Sequence, residues 1–238
     1  MDNQIRTQNI DRQIKKLEEN LSAEKQIILI EQLCAEGAIG EKSLINYLIN
    51  RRILNKQKIK LLDGLIFEKL YNTKNHEIMI KLGQHFKHGI IQLNNELTFN
   101  YQPLQDLLIK QNFQEADKLT QQYLCKLAGL ETDKTRQWLY FTDISIIPSE
   151  DLLNIDLLWQ IYSRGKFGFS VQRKIWIANK CKWNIFWQTI GWTKQNIPCR
   201  YPKEFIWTLN APKGHLPLFN QLRGVQVLSA LFNHIVWQ

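Results

Sequence analysis

Apolar residues in the first hundred positions recur at the spacing of short amphipathic helices. Four of them, three or four residues apart and hence on one helical face, are Ile10, Ile14, Leu17 and Leu21. Further apolar clusters lie at 27–33, 44–48 and 59–70. The pattern predicts a bundle of short helices, with lengths that are compatible with the paired helices of HEAT or armadillo repeats.

The rest of the chain also follows helical periodicity, with longer and more aromatic loops. Predicted helices lie at 103–108, 116–127, 152–162 and 171–179, and Ser170 suits the N-cap of the last of these. A final helix is predicted to begin near Pro217. Its inward-facing residues would be Leu218, Leu222, Val225 and Phe232.

Aromatic and proline content changes along the chain. All eight tryptophans lie after residue 137, five of the six prolines lie after residue 147, and the first hundred residues contain neither type. Such a shift predicts two domains, residues 1–98 and 99–238. The predicted fold class is all-α, an N-terminal helical bundle followed by a helical domain with long loops.

Charge and hydropathy limit the classes of partner. The chain has 31 Lys and Arg against 22 Asp and Glu, a net charge of +9 that favours anionic partners. The charges are scattered, which argues against a nucleic-acid surface. No apolar run approaches the roughly 20 residues of a spanning helix. The N-terminus lacks the pattern of a secretory or transit peptide, so we expect the four cysteines to be free, buried thiols.

Common catalytic motifs are absent from the sequence. It contains no nucleophile elbow, P-loop, dinucleotide fingerprint or zinc-protease helix. His85 and His88 are three residues apart but have no evident third metal ligand, and Asp151 and Asp156 have no partner for acid–base chemistry. We therefore expect a protein that is not an enzyme and has no catalytic cofactor or metal site.

About 24 residues, from Gly191 to Gly214, contain three prolines and two glycines and follow no sustained period. An irregular segment of that length in a compact domain is usually functional. Large rings and cations alternate along it, at Trp192, Lys194, Arg200, Tyr201, Lys203, Phe205 and Trp207. Such residues can bury a flat ligand and meet its carboxylates, but they equally suit a protein core or single-stranded nucleic acid.

Five motifs occur in a fixed order in the second half of the chain. They are Trp138-Leu139-Tyr140-Phe141-Thr142 and the segments 156–159, 165–172, 211–217 and 220–225. Together, over roughly residues 101–237, they resemble the genomes-uncoupled-four family, porphyrin-binding regulators of chlorophyll synthesis in cyanobacteria and plastids. The N-terminal bundle is similar to the helical extension of cyanobacterial members.

This resemblance implies a C-terminal domain shaped like a cupped hand, which binds protoporphyrin IX and magnesium protoporphyrin IX in an apolar palm. It implies stimulation of magnesium chelatase through that enzyme's large porphyrin-binding subunit, without metal insertion by this chain. The expected location is the plastid stroma or a cyanobacterial cytoplasm, for a soluble protein that can associate peripherally with membranes.

The resemblance also assigns individual residues to the palm. Arg200 and Arg223 would meet the porphyrin propionates, and Asn220 would reach the macrocycle centre or a water on its magnesium. Tyr201 stands where relatives often have tryptophan. The full set of predicted porphyrin-binding residues is Phe141, Arg200, Tyr201, Phe205, Ile206, Trp207, Asn220 and Arg223.

Two alternatives stay open on the sequence. One is a helical protein-interaction module that keeps the fold without binding pigment. The other is a basic binder of single-stranded nucleic acid, which would show steeply salt-dependent affinity for oligonucleotides. The scattered charge disfavours the second alternative, and nucleic acid is not among the expected partners.

Overall fold

The computed structural model describes residues 2–19, 21–94, 96–130, 136, 138–218 and 225–237. Over these residues the chain is built from helices, with one short antiparallel ribbon of two strands. The predicted all-α fold class is therefore confirmed. The chain divides into two compact units, residues 1–92 and 93–238, and each is described by itself.

The first unit, where described, is a succession of short helices. They are α1 (Asp2–Glu18), α2 (Ala23–Ala35), α3 (Ala38–Ile49), α4 (Leu61–Tyr71) and α5 (His76–His85). Helix α3 continues into a π-helical turn over Asn50–Leu54. Apolar residues at the predicted helical spacing form the core, and Ile10, Leu17, Ile30, Leu44 and Ile66 are all buried.

Helices α2 and α3 are in close contact at Gly40. A Cβ atom at this position would lie 1.8 Å from the carbonyl oxygen of Leu33, so no residue larger than glycine fits without moving a helix. The loop before α3 also needs glycine, because Gly37 has a φ of 67° in the left-handed region. These two glycines set the tight α2–α3 connection.

The second unit is also helical, with its irregular segments concentrated after residue 190. Its helices are α6 (Gln102–Ile109), α7 (Phe113–Leu127), α8 (Ser149–Tyr162), α9 (Phe169–Ala178), α10 (Trp183–Thr189) and α11 (Val225–Phe232). Short 3₁₀ helices span Phe141–Ile146 and Ile235–Trp237. The ribbon pairs β1 (Thr193–Lys194) with β2 (Ile197–Pro198).

Two aromatic clusters fill the core of this unit. Trp159 is fully buried against the rings of Phe113 and Phe167, and its indole N–H donates to the Thr120 hydroxyl over 3.0 Å. The second cluster joins α9, α10 and α11 through Trp176, Trp183, Phe186 and Phe232. Trp159 and Trp176, predicted as core, are buried.

Several details differ from the prediction. Trp187 is only partly buried, and Cys181 is exposed, although the four cysteines are free. Helix α9 begins at Phe169 with Gly168 as its N-cap, so Ser170 lies inside the helix.

The last helix is predicted to begin near Pro217, and residues 219–224, which follow this position, lie outside the described residues. Pro217 and Leu218 are not helical, and the described part of α11 begins at Val225. The backbone N–H of Leu218 instead donates to the Asp117 carboxylate over 2.6 Å. No helix in the described ranges is long and apolar enough to cross a membrane.

Candidate ligand-binding site

The segment 191–218 is tied to the start of α9 by hydrogen bonds. The Gln172 side chain donates to the carbonyls of Gly214 and Pro217, over 3.0 and 2.8 Å. Backbone bonds add Gly168 N–H to Leu216 (3.0 Å) and Gly214 N–H to Lys166 (2.8 Å). Since buried backbone groups need partners, one helix start holds the C-terminal end of this irregular segment in place.

His215 fastens the middle of the segment through both ring nitrogens. Its Nδ1 lies 2.6 Å from the carbonyl oxygen of Ile190, and its Nε2 accepts the backbone N–H of Ile206 over 3.0 Å. A carbonyl can only accept, so Nδ1 carries the proton and the ring is neutral. Burial lowers the pKa of His215, and the hydrogen bond to Ile190 opposes this effect in part. The lowered pKa agrees with a neutral ring.

Trp192 and the small ribbon close the other end of the segment. The Trp192 indole N–H donates to the His215 carbonyl over 2.8 Å, and Cys199 N–H donates to the Trp192 carbonyl over 2.9 Å. The ribbon turns at Gln195 and Asn196, which both have positive φ. The sequence predicts no regular structure here, and the two-residue turn containing Asn is the feature that indicates the ribbon.

Five of the predicted site residues lie together in this segment, at positions 200–207. The Tyr201 and Trp207 rings meet edge to face with centroids 5.9 Å apart, and Trp207 donates its indole N–H to the Pro202 carbonyl over 3.0 Å. Arg200 is exposed, and its backbone N–H donates to Glu204 over 2.7 Å.

Burial divides these residues into two groups. Phe205 is only 5% exposed and packs against the rings of His215 and Trp207, so it supports the segment from beneath. Tyr201 and Ile206 are 41% and 43% exposed, and Trp207 is half-buried. Three side chains, Tyr201, Ile206 and Trp207, are therefore available to a ligand, and we call them the loop face.

Phe141 lies in a different setting, a groove against α11. It is 52% exposed and lines, with Trp183, an open cavity of about 410 Å³. The remaining lining residues of this groove lie at helical spacing along α11 and just after its end: Val225, Gln226, Ser229, Ala230 and Asn233. The lining combines two aromatic rings and two aliphatic side chains with two amides and a hydroxyl, which suits a ligand with an apolar body and polar edges.

Two predicted residues, Asn220 and Arg223, lie outside the described residues. The described residues on either side are Leu218, whose N–H is held by Asp117, and Val225, which lines the groove.

Asp117 of α7 is a buried carboxylate that the sequence analysis did not single out. Burial raises its pKa well above the usual carboxyl range, opposed by the hydrogen bond from Leu218 and by the charge of Lys118. The field of Asp117 also contributes to the raised pKa of the Tyr201 hydroxyl, which is mainly an effect of burial. The start of α7 and the loop face are therefore electrostatically coupled.

Other supporting residues were also missed. His215 and Gln172 carry the hydrogen bonds that shape the segment, but both fall inside motifs that serve only to indicate the family resemblance. Their long-range partners could not be inferred from spacing. Within the described ranges, no group of three His, Cys, Asp or Glu residues is arranged to hold a metal ion.

Comparison with known proteins gives two adjacent family matches. A model described as GUN4-like matches residues 94–235, and one described as an ARM-like repeat domain, GUN4-N terminal, matches residues 4–87. The uncharacterized protein ycf53 of Pyropia yezoensis is 47% identical over the whole of this chain and 99% of its own length.

Two further relatives have more informative descriptions. The chloroplastic tetrapyrrole-binding protein of Arabidopsis thaliana is 40% identical over 55% of this chain and 52% of its own length. The solved structure of GUN4 from Chlamydomonas reinhardtii is 40% identical, covers 62% of this chain and 96% of its own, and superposes with a TM-score of 0.57.

Proposed function

Because the chain belongs to the GUN4-like family, we propose that it binds a tetrapyrrole in its C-terminal unit. The observation that carries the proposal is the family match over residues 94–235, which contain both the loop face and the Phe141 groove. The Arabidopsis relative, 40% identical over 55% of this chain, is named for tetrapyrrole binding and supports the same ligand class.

The chemistry of the exposed residues supports a flat, anionic, apolar ligand. Tyr201, Ile206 and Trp207 offer ring and aliphatic surface for a macrocycle, each large ring contributing roughly 1–2 kcal/mol. Arg200 and Lys203 are exposed cations beside this surface and would pair with propionates. Phe205 acts by supporting the loop face and His215 by holding its backbone.

The Phe141 groove is the second surface that we assign to the pigment. Phe141 and Trp183 would pack against the macrocycle edge, and the amides of Gln226 and Asn233 would meet polar substituents. From the sequence, we keep Asn220 and Arg223 as proposed contacts to the macrocycle centre and a propionate.

In finer detail, the proposed ligands are protoporphyrin IX and magnesium protoporphyrin IX. The proposed role is stimulation of magnesium chelatase by contact with its large porphyrin-binding subunit, with no metal insertion by this chain. The proposed location is the plastid stroma or a cyanobacterial cytoplasm, which the chloroplastic Arabidopsis relative supports.

The first test is a titration of each porphyrin into the full-length protein, followed by the Soret band. We expect a saturable shift with both pigments at low micromolar concentration. An unchanged Soret band would favour the interaction module without pigment. Binding of oligonucleotides instead of porphyrin would favour the nucleic-acid alternative.

Three variants separate the two proposed surfaces. Tyr201→Ala with Trp207→Ala removes the loop face and should weaken porphyrin binding about tenfold or more, because two ring contacts are lost. Phe141→Ala tests the groove. Tyr71→Ala is the matched control, since Tyr71 is 42% exposed but lies in the first unit. Equal affinity of all variants and the wild type would mean that the site lies elsewhere.

The regulatory part of the proposal has its own measurement. Magnesium chelatase assayed with and without the protein should be stimulated by the wild type and by Tyr71→Ala. The Tyr201→Ala, Trp207→Ala double variant should stimulate less at limiting porphyrin. Retained porphyrin binding without any stimulation would contradict the regulatory role and leave pigment binding intact.

A further inference from the structure

The segment 52–61, which runs from within the π-helical turn to the first residue of α4, is unusually basic, and we call it the lysine loop. The longer stretch 42–62 contains no Asp or Glu. Its six cations are Lys42, Arg51, Arg52, Lys56, Lys58 and Lys60. The positive charge of this stretch is therefore balanced by no acidic residue within it, although cations and anions are scattered over the chain as a whole.

Half of these cations have partners within the unit. The Nζ atom of Lys42 lies 3.6 Å from Oε1 of Glu77. Arg51 forms a buried ion pair with Asp63, in which Nε and Oδ1 are 2.8 Å apart. Arg52 donates to the backbone carbonyl of Gln57.

The three lysines of the loop differ from the other cations. Lys56, Lys58 and Lys60 are all exposed. Among the residues that the structure describes, none of the three forms a salt bridge. Three ammonium groups therefore face solvent within five residues of chain.

The Arg51–Asp63 pair fixes the shape of this loop. The guanidinium of Arg51 also donates to the Gln57 side chain and to the Lys58 carbonyl, and Gln57 N–H returns a bond to the Arg51 carbonyl over 2.8 Å. Asp63 accepts the backbone N–H of Lys60 over 2.9 Å. Because these bonds hold the loop backbone, little conformational entropy remains to be lost when the lysines meet a partner.

An exposed leucine lies toward each end of the lysine loop. Leu54 is 70% exposed and Leu61 is 43% exposed, although most leucines of this unit are buried in its core. A protein gains nothing in solution by exposing such side chains next to cations. At a lipid interface the combination is favourable, because leucines enter the acyl boundary while lysines reach the anionic headgroups.

We propose that the lysine loop docks the protein onto an anionic phospholipid surface. The lysines supply the charge complementarity, Leu54 and Leu61 supply the apolar anchor, and Arg51 with Asp63 keeps the loop in its docking shape. Single-stranded nucleic acid fits less well, because bases stack on aromatic rings and residues 52–61 contain none. This proposal is independent of porphyrin binding, because every residue that it uses lies in the first unit.

The test is co-sedimentation of the full chain with vesicles of phosphatidylglycerol and phosphatidylcholine, compared with phosphatidylcholine alone. We expect binding to the anionic vesicles only, weakening as salt is raised. Replacing Lys56, Lys58 and Lys60 by Gln should lower the vesicle affinity roughly a hundredfold, since each lysine near an anionic membrane contributes about fivefold. Leu54→Ser should lower it about tenfold through the lost apolar anchor.

The matched control replaces three exposed lysines elsewhere in the same unit, Lys15, Lys16 and Lys25, by Gln. It removes the same charge and should keep nearly all of the vesicle affinity. Circular dichroism of each variant checks that the helices are intact. Equal loss in both triple variants would overturn the proposal in favour of general electrostatic attraction. Absence of vesicle binding, with lysine-loop-dependent binding to an acidic peptide or an oligonucleotide, would overturn it in favour of that partner.

Discussion

At the scale of single residues, His215 shows how one neutral ring can organise a long loop. Its two nitrogens bridge Ile190 and Ile206, which are sixteen positions apart, and its ring packs on Phe205. A protonated ring could no longer accept the Ile206 N–H, so the loop is compatible only with neutral His215. The backbone between Phe205 and Trp207 therefore depends on the protonation state of a residue that itself lies below the surface.

We expect His215→Phe to lower the free energy of unfolding by roughly 2–4 kcal/mol at pH 8. The substitution keeps a ring beside Phe205 but leaves the Ile190 carbonyl and the Ile206 N–H without their partner. Denaturant unfolding of the wild type and the variant measures the difference. The same variant should also weaken porphyrin binding, because Ile206 and Trp207 lose their backbone support.

The difference in unfolding free energy between the wild type and His215→Phe should fall as the pH is lowered. Burial lowers the folded-state pKa of His215, so on acidification the unfolded chain takes up the proton first. The stabilisation by neutral His215 is complete above the ordinary histidine pKa of about 6.5 and is lost as the pH falls toward the lower folded value. The difference in unfolding free energy between the wild type and His215→Phe should therefore be smaller at pH 5 than at pH 8. A constant gap would contradict the bridging role.

At the scale of helices and their contacts, Gly40 and Gly83 can be compared as two sites for the same substitution. Both lie within helices of the first unit, but a Cβ at Gly40 would meet the Leu33 carbonyl at 1.8 Å, whereas nothing lies within 4 Å of a Cβ at Gly83. The same substitution therefore tests helix packing at one site and helix propensity at the other.

Gly40→Ala should destabilise the protein by about 1–3 kcal/mol or more, since α2 and α3 must move apart. Gly83→Ala should be neutral or stabilise by up to about 1 kcal/mol, because alanine is the better helix former. Thermal unfolding followed by circular dichroism distinguishes these outcomes. Similar effects of the two substitutions would show that the α2–α3 contact is not tight.

Helices were the predictable elements, and the connections between them were not. Periodic apolar residues such as Ile10 and Leu17 indicate a helix through local spacing alone, and both are buried. The start of α9 was predicted two residues too late, because it depends on a distant partner, as does the non-helical backbone at Leu218. Gly168 is held by the Leu216 carbonyl, and Leu218 is held by Asp117, 101 residues earlier in the chain.

The candidate site shows the same division between local pattern and distant contact. Alternating rings and cations indicated the segment that carries Tyr201 and Trp207, and these two rings do lie together. The pattern could not reveal that Phe205 faces inward, because its burial depends on His215. Trp183 was recognised only through the groove that it forms with Phe141 and α11.

At the scale of the whole molecule, the position of the boundary between the two units decides which residues fold together. Composition predicts the boundary after residue 98, and the compact units divide after residue 92. Thr98 explains why the position matters. Its N–H and hydroxyl both donate to the buried Asp151 carboxylate, over 3.0 and 2.8 Å, beside the Tyr101 hydroxyl at 2.6 Å. We propose that the second folding unit begins before Thr98.

Two fragments test this boundary. Residues 93–238 should fold and bind porphyrin with nearly the affinity of the full chain, because every proposed porphyrin contact lies within them. Residues 99–238 should be less stable by roughly 2–4 kcal/mol, since a buried carboxylate loses two donors. Urea unfolding of both fragments gives the difference. Equal stability would place the boundary after Thr98.

The distribution of tryptophan allows unfolding of the second unit to be followed separately by fluorescence. All eight tryptophans follow residue 137, whereas Tyr47 and Tyr71 are the only tyrosines of the first unit that can fluoresce. Excitation at the red edge of the indole band therefore reports on the second unit alone, while far-ultraviolet dichroism sums both. A mixed denaturation curve of the intact chain can thus be separated into its two parts without labelling, cutting or altering a single side chain.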